Sequence, residues 1–130
     1  MLELTDKALE HILLLDGRTR YSFSVKRIVD WEEAWGLYED GWVMAEDDAG
    51  HSVFLLWPAK ILAERCIEPG TNGEVAREIP LDELMSDLLP KLRDDGIGVG
   101  VFDITGSNDT PVVKPEDFLR DLTAEDSKYY

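Results

Sequence analysis

His51 follows Glu46, Asp47 and Asp48 within a few residues, and three carboxylates beside an imidazole are the side chains from which a divalent-cation site or a general acid–base pair is built. The spacing argues against both. A calcium loop wraps spaced oxygens around one centre, whereas three adjacent carboxylates at a strand end point in different directions, so a solvated turn accounts for the group more simply. An enzyme, or a metal- or small-ligand-binding protein, using Asp47, Asp48 and His51 stays as the alternative reading. The other histidine, His11, sits in an amphipathic helix far from these residues in sequence. Cys66 falls at the end of a short helix, where the dipole opposes thiolate formation, so an inert thiol is expected. One cysteine also excludes an internal disulfide and any multi-cysteine metal site, and it fits a reducing compartment. Gly96, Gly98 and Gly100 imitate a nucleotide loop, yet they alternate with Ile97 and Val99 as a strand does, and no helix follows to cradle a phosphate. No nucleophile elbow, phosphate loop or zinc spacing occurs, and no cofactor is expected.

The tryptophans carry more information. Trp35, Trp42 and Trp57 fall at strand ends, and each indole N–H needs a partner if the ring is buried. Core packing explains such rings. The functional reading is an aromatic patch at one end of a sheet, with Trp42, Trp57 and Lys60 forming a partner-binding edge beside the acidic turn Glu46, Asp47 and Asp48.

The elements that must position these residues follow from periodicity and punctuation. Thr5 caps a first helix whose Leu4, Ala8, Ile12 and Leu15 share a face, and Gly17 ends it. Residues 1–17 are therefore read as an accessory helix that packs on the body or on a second copy of the chain, giving a homodimer. Residues 18–130 are read as one α+β domain. Its first helix, Arg18 to Trp31, places Tyr21, Val25, Ile28 and Val29 on one face and Arg20, Lys26 and Arg27 off it, the cations complementing an acidic body. Trp35 to Tyr38 and Trp42 to Ala45 form a hairpin around Glu39-Asp40-Gly41, and a turn at 47–50 leads into Ser52 to Trp57, completing an N-terminal meander. Val53 to Trp57 is apolar without alternation, which predicts a central strand buried on both faces. Pro58, Pro80 and Pro115 each follow a strand and open a helix. Pro90 predicts a kink or break, since it lacks the N–H that would bond Ser86. Ile97 to Ile104 reads as a strand whose glycines leave room for a packed helix, residues 106–109 as a loop to the Val112 strand, and the chain after Thr123 as a frayed tail.

Charge bounds the partners. Thirteen basic and 28 acidic residues give a net charge of −15, and residues 1–31 carry five of each sign, so the remaining 99 hold the whole excess. That field repels nucleic acid and anionic lipid and favours a basic protein, although solubility alone also explains it. The longest apolar runs, Ile12 to Leu15 and Val53 to Pro58, are too short for a signal core or membrane span, which places the protein in the cytoplasm.

The turn Glu39-Asp40-Gly41-Trp42, Leu56-Trp57-Pro58 before a short helix, Ile79-Pro80-Leu81-Asp82-Glu83, and Leu92 to Phe102 with Asp95-Gly96 and Val99-Gly100-Val101-Phe102 stand in an order that resembles a small bacterial family, domain of unknown function 2750. The resemblance covers roughly Arg18 to Leu122 and leaves the first helix as an addition. It implies a fold and a bacterial cytoplasmic setting, and no catalytic residue. The expectation is thus an α+β domain, a mostly antiparallel sheet of five or six strands with helices mainly on one face, acting as a non-enzymatic protein-binding or regulatory module; neutralising a basic partner is a narrower version that the charge permits without requiring.

Overall fold

The computed structural model describes residues 5–67, 73–104 and 109–129. In chain order the elements are α1 (Asp6–Leu13), α2 (Gly17–Trp31), β1 (Glu33–Tyr38), β2 (Met44–Glu46), β3 (Ser52–Leu56), α3 (Lys60–Glu64), β4 (Val75–Pro80) and α4 (Leu81–Glu83). A π-turn (Leu84–Leu88), α5 (Leu89–Asp94), β5 (Gly98–Val101), β6 (Val112–Val113), α6 (Pro115–Asp126) and a closing 3-10 turn (Ser127–Tyr129) follow.

The class is α+β, with the six strands divided between two ladders. A four-stranded sheet runs β2-β3-β5-β6, and β1 and β4 form a two-stranded ladder. β3 is central, as its unbroken apolar run predicts: Phe54 and Leu56 are fully buried and Val53 nearly so. Its neighbour β5 runs parallel to it, while the other pairings are antiparallel. The register sets Phe54 beside Val99 and Leu56 beside Val101, four fully buried side chains on one face. Helices α2 and α6 contact β5, and Ile28, Phe118 and Leu122 complete that core.

The expected hairpin at Glu39-Asp40-Gly41 closes through a single bridge, Tyr38 to Trp42, with Val43 N donating to Leu37 O at 2.8 Å. The meander is therefore only partly laddered, because β1 takes β4 (Glu33 opposite Pro80 through Tyr38 opposite Val75) as its full partner. The two ladders meet where Trp35 and Trp57 exchange both backbone hydrogen bonds, at 2.9 and 2.8 Å. The space over Gly100 is filled by a neighbouring strand rather than a helix: a Cβ there would lie 2.8 Å from Leu55 Cδ2 and 3.0 Å from Val53 Cγ1. β5 stops earlier than expected because Phe102 takes a left-handed conformation, φ 59°.

Thr5 caps α1, its Oγ1 accepting from Ala8 N at 3.1 Å. The buried face is Leu9 and Ile12, which join the core, while Leu14 is 85% exposed. In α2 the buried stripe includes Arg20 and Ser24, so Arg20 faces inward, contrary to its expected place off the face. Pro90 produces neither break nor simple kink. The turn before it widens to π geometry, in which Leu89 N donates to Leu84 O, so the backbone absorbs the missing N–H. Pro115 occupies the first turn of α6, whereas Pro58 and Pro80 lie just ahead of their helices. Residues 106–108 of the expected loop lie outside the described residues. The chain after Thr123 stays helical to Asp126, held by Thr123 Oγ1 donating to Leu119 O and by a Lys128–Glu125 ion pair at 3.1 Å. No described helix is long and apolar enough to cross a membrane.

Candidate binding cleft

The acidic turn is built around one carboxylate. Asp47 Oδ1 accepts from Ala49 N at 2.9 Å and from His51 N at 2.8 Å, and its Oδ2 lies 3.3 Å from His51 Nδ1. These backbone donors, His51 N foremost, hold Asp47 below its ordinary pKa. The hairpin between β2 and β3 thus uses the carboxylate to close itself. Asp47 and His51 come together; Asp48 and Glu46 are exposed and make no hydrogen bond or ion pair with them. Among the described residues no three His, Cys, Asp or Glu side chains assemble a metal site. A shallow cavity of about 570 Å³ nevertheless opens beside Asp47 and His51, with Arg93, Lys114 and Glu116 on its walls. Cys66 is half-buried and its thiol donates to Asp103 O at 3.3 Å.

The expected edge of Trp42 and Trp57 does not form as one patch. Trp57 is fully buried, and its indole N–H donates to Asp103 O at 2.9 Å, so the ring is core and offers nothing to a partner. The physical reason is its position. It closes the central strand and bridges to Trp35 of β1, inside the core. Trp42 is half-buried, packed edge-on against Tyr38 and Phe54, with the Arg77 guanidinium 5.6 Å from its ring centre.

Lys60, exposed at the start of α3, reaches a different place. Its Nζ lies 5.9 Å over the ring of Trp35, on the rim of a cleft of about 300 Å³ between the end of α2, β1 and α3. Arg27, Trp31, Glu33, Trp35, Ile61 and Glu64 line it. Trp31 and Trp35 are half-buried. Arg27 stacks on Trp31 with its guanidinium carbon 3.9 Å from the ring centre, and its Nε donates to Pro58 O at 3.2 Å. Partial burial lowers the Arg27 pKa, with Glu33 pulling the other way. Glu33 accepts the indole N–H of Trp35. Glu32 in the left-handed region (φ 57°) stops α2, and this stop sets Trp31 and Trp35 on either side of the corner.

Of the residues expected at a site, only Lys60 lines this cleft. Arg27, Trp31 and Glu33 were missed, although Arg27 and Trp31 stand four apart on one helix, the spacing at which a cation and an aromatic ring meet.

No curated protein matches the chain. A family model does match, over residues 21–122, beginning in α2 and ending in α6, so that α1 lies outside it. With most of its length matched, the chain belongs to the family described as Protein of unknown function (DUF2750).

Proposed function

We propose that this chain is a non-enzymatic binding and regulatory module of a reducing, cytoplasmic compartment, whose recognition site is the cleft between Trp31 and Trp35. The observation that carries this is the cleft itself. Two tryptophans from two elements stand half-buried around a preformed cavity, with Arg27 and Lys60 held over their faces. Large aromatic rings and arginine are enriched at recognition hot spots, the rings because they bury much area at little entropic cost. The surplus of carboxylates elsewhere on the body makes a basic protein the favoured macromolecular target, with Glu46, Asp47 and Asp48 of the exposed turn as a second contact and Trp42 as a separate, half-buried one. Capture from native cells with the wild-type chain should return a basic protein, and a Trp31→Ala, Trp35→Ala double variant that keeps its circular dichroism spectrum should lose it. Undiminished capture by that variant would contradict the reading.

A second reading is a small-ligand or metal-binding protein, or an enzyme, working through Asp47, Asp48 and His51. The Asp47–His51 pair at 3.3 Å beside the larger cavity favours it. Thermal stabilisation by a divalent metal or a metabolite that disappears in His51→Ala would establish it.

A further inference from the structure

We infer that the tryptophan cleft takes a zwitterion bearing a flat apolar group, of which an α-amino acid with an aromatic side chain is the simplest; this rests on the cleft being the recognition site. Four charged side chains from three elements line it, two cationic and two anionic: Arg27 of α2, Glu33 of β1, and Lys60 and Glu64 of α3. None of the four makes an ion pair within 4.0 Å among the described residues. Lys60 and Glu64 are four apart on α3, the spacing that normally pairs them, yet the Lys60 ammonium lies over Trp35 instead.

Arg27 is pre-organised for a carboxylate. Its Nε is spent on Pro58 O and its plane is fixed by Trp31, and its terminal amino groups have no acceptor among the described residues. A guanidinium held in that way presents a planar fork, the geometry that carboxylates accept in two bonds. Opposite in sign, Glu33 uses one oxygen on the Trp35 indole, which leaves its other oxygen and the Glu64 carboxylate as acceptors for an ammonium group. Trp31, Trp35 and Ile61 supply apolar walls between them.

Charge balance selects the class. The two cations and two anions of the cleft sum to zero, so a plain carboxylate would make it net negative and would approach through the field of a chain of net charge −15. A plain cation would make it net positive and leave the Arg27 fork without a carboxylate. A zwitterion answers both pairs and crosses the field without net work. The volume of about 300 Å³ stands at the lower end of small-molecule sites and suits a ligand of amino-acid size.

The test is isothermal titration of the full chain with L-phenylalanine, phenylacetate, phenethylamine and L-alanine, probes that in turn keep all three features or lack the ammonium, the carboxylate or the ring. L-phenylalanine should bind, with each of the other three about tenfold weaker or more, one charge-assisted contact being worth roughly that factor. Lys60→Gln and Glu64→Gln, both at exposed positions, should weaken L-phenylalanine several-fold without moving the melting temperature. No binding of L-phenylalanine at millimolar concentration would overturn the inference, as would equal binding of phenethylamine or an unchanged affinity in both variants. Such a result leaves the broader reading standing if the Trp31→Ala, Trp35→Ala variant still loses its protein partner, and removes both if it does not.

Discussion

At the scale of single residues, the side chain that organises the interior is one that hydropathy would send to the surface. Arg20 is 2% exposed and binds Leu15 O at 2.9 Å, Phe102 O at 3.3 Å and Asp109 Oδ1 at 3.0 Å. Asp109 in turn accepts from Gly17 N at 3.0 Å, so one carboxylate holds both the guanidinium and the start of α2. Asp109→Ala would leave a buried guanidinium without its half-exposed counter-charge and should cost roughly 1–2 kcal/mol in urea unfolding, more than an ordinary surface aspartate. Tyr21 gives a prediction in pH. Burial first, and then its hydrogen bond to Asp121, raise its pKa above the ordinary 10.0. The folded state therefore keeps the phenol proton that the unfolded chain releases, and this contribution is complete below pH 10 and lost as pH rises towards the folded pKa. Tyr21→Phe should flatten the alkaline limb of the stability profile relative to wild type; parallel limbs would show that the shift is absent. Residue type alone signals neither role. Arg20 is legible only through its spacing with Ser24 and Ile28, and its partner lies 89 positions away. Trp57 shows the converse, since an aromatic ring next to proline looks like a binding edge until its strand is known to be central.

At the scale of elements, the local rules carry far. Val53 to Leu56, the tight turn at Asp40 and Gly41, and the Thr5 cap all follow from neighbours in sequence, and each has the expected form. Pairings between distant strands do not. Nothing near β1 announces that β4 is its full partner, or that β3 and β5 run parallel, because a ladder is chosen by the whole set of faces to be buried. Pro90 is an intermediate case: the defect is local, but whether it breaks the helix or widens one turn depends on the packing of Leu84, Leu89 and Leu92, which are all buried. Helix α1 lies outside the matched family region, yet Leu9 (1% exposed) and Ile12 belong to the core. Leu9→Ala should therefore cost about 2–4 kcal/mol in chemical denaturation, as for a deeply buried leucine. A loss below about 0.5 kcal/mol would mean that α1 is an arm with no structural share, the ordinary value for a surface change. The cleft belongs to this scale as well. It exists because the α2 stop at Glu32 turns the chain between Trp31 and Trp35 while α3 returns Lys60 to the same corner. A three-element junction of that kind has no signature in any one stretch of sequence.

At the scale of the whole molecule, charge and cleft set the account's predictions. A net charge of −15 on 130 residues repels itself, and salt screens that repulsion within about 8–10 Å at moderate ionic strength. The melting temperature should rise by roughly a few degrees between low salt and about 0.5 M sodium chloride and then level off, because screening saturates. A steep rise continuing into molar salt would instead mark adaptation to a salty interior, in which case the acidity needs no partner. The central claim, that recognition takes place between Trp31 and Trp35, has a direct readout in the four tryptophans. Each gives one indole N–H signal in a nitrogen-labelled sample, and the four stand in different settings: Trp57 bonded to Asp103 O, Trp35 to Glu33, Trp42 packed on Tyr38 and Phe54, Trp31 beneath Arg27. Titration with L-phenylalanine, with assignments from single Trp→Phe variants, should move the Trp31 and Trp35 signals along saturable curves and leave Trp42 and Trp57 in place. Saturable shifts confined to Trp42, or four unmoved signals both with L-phenylalanine and with the captured partner protein, would contradict the account.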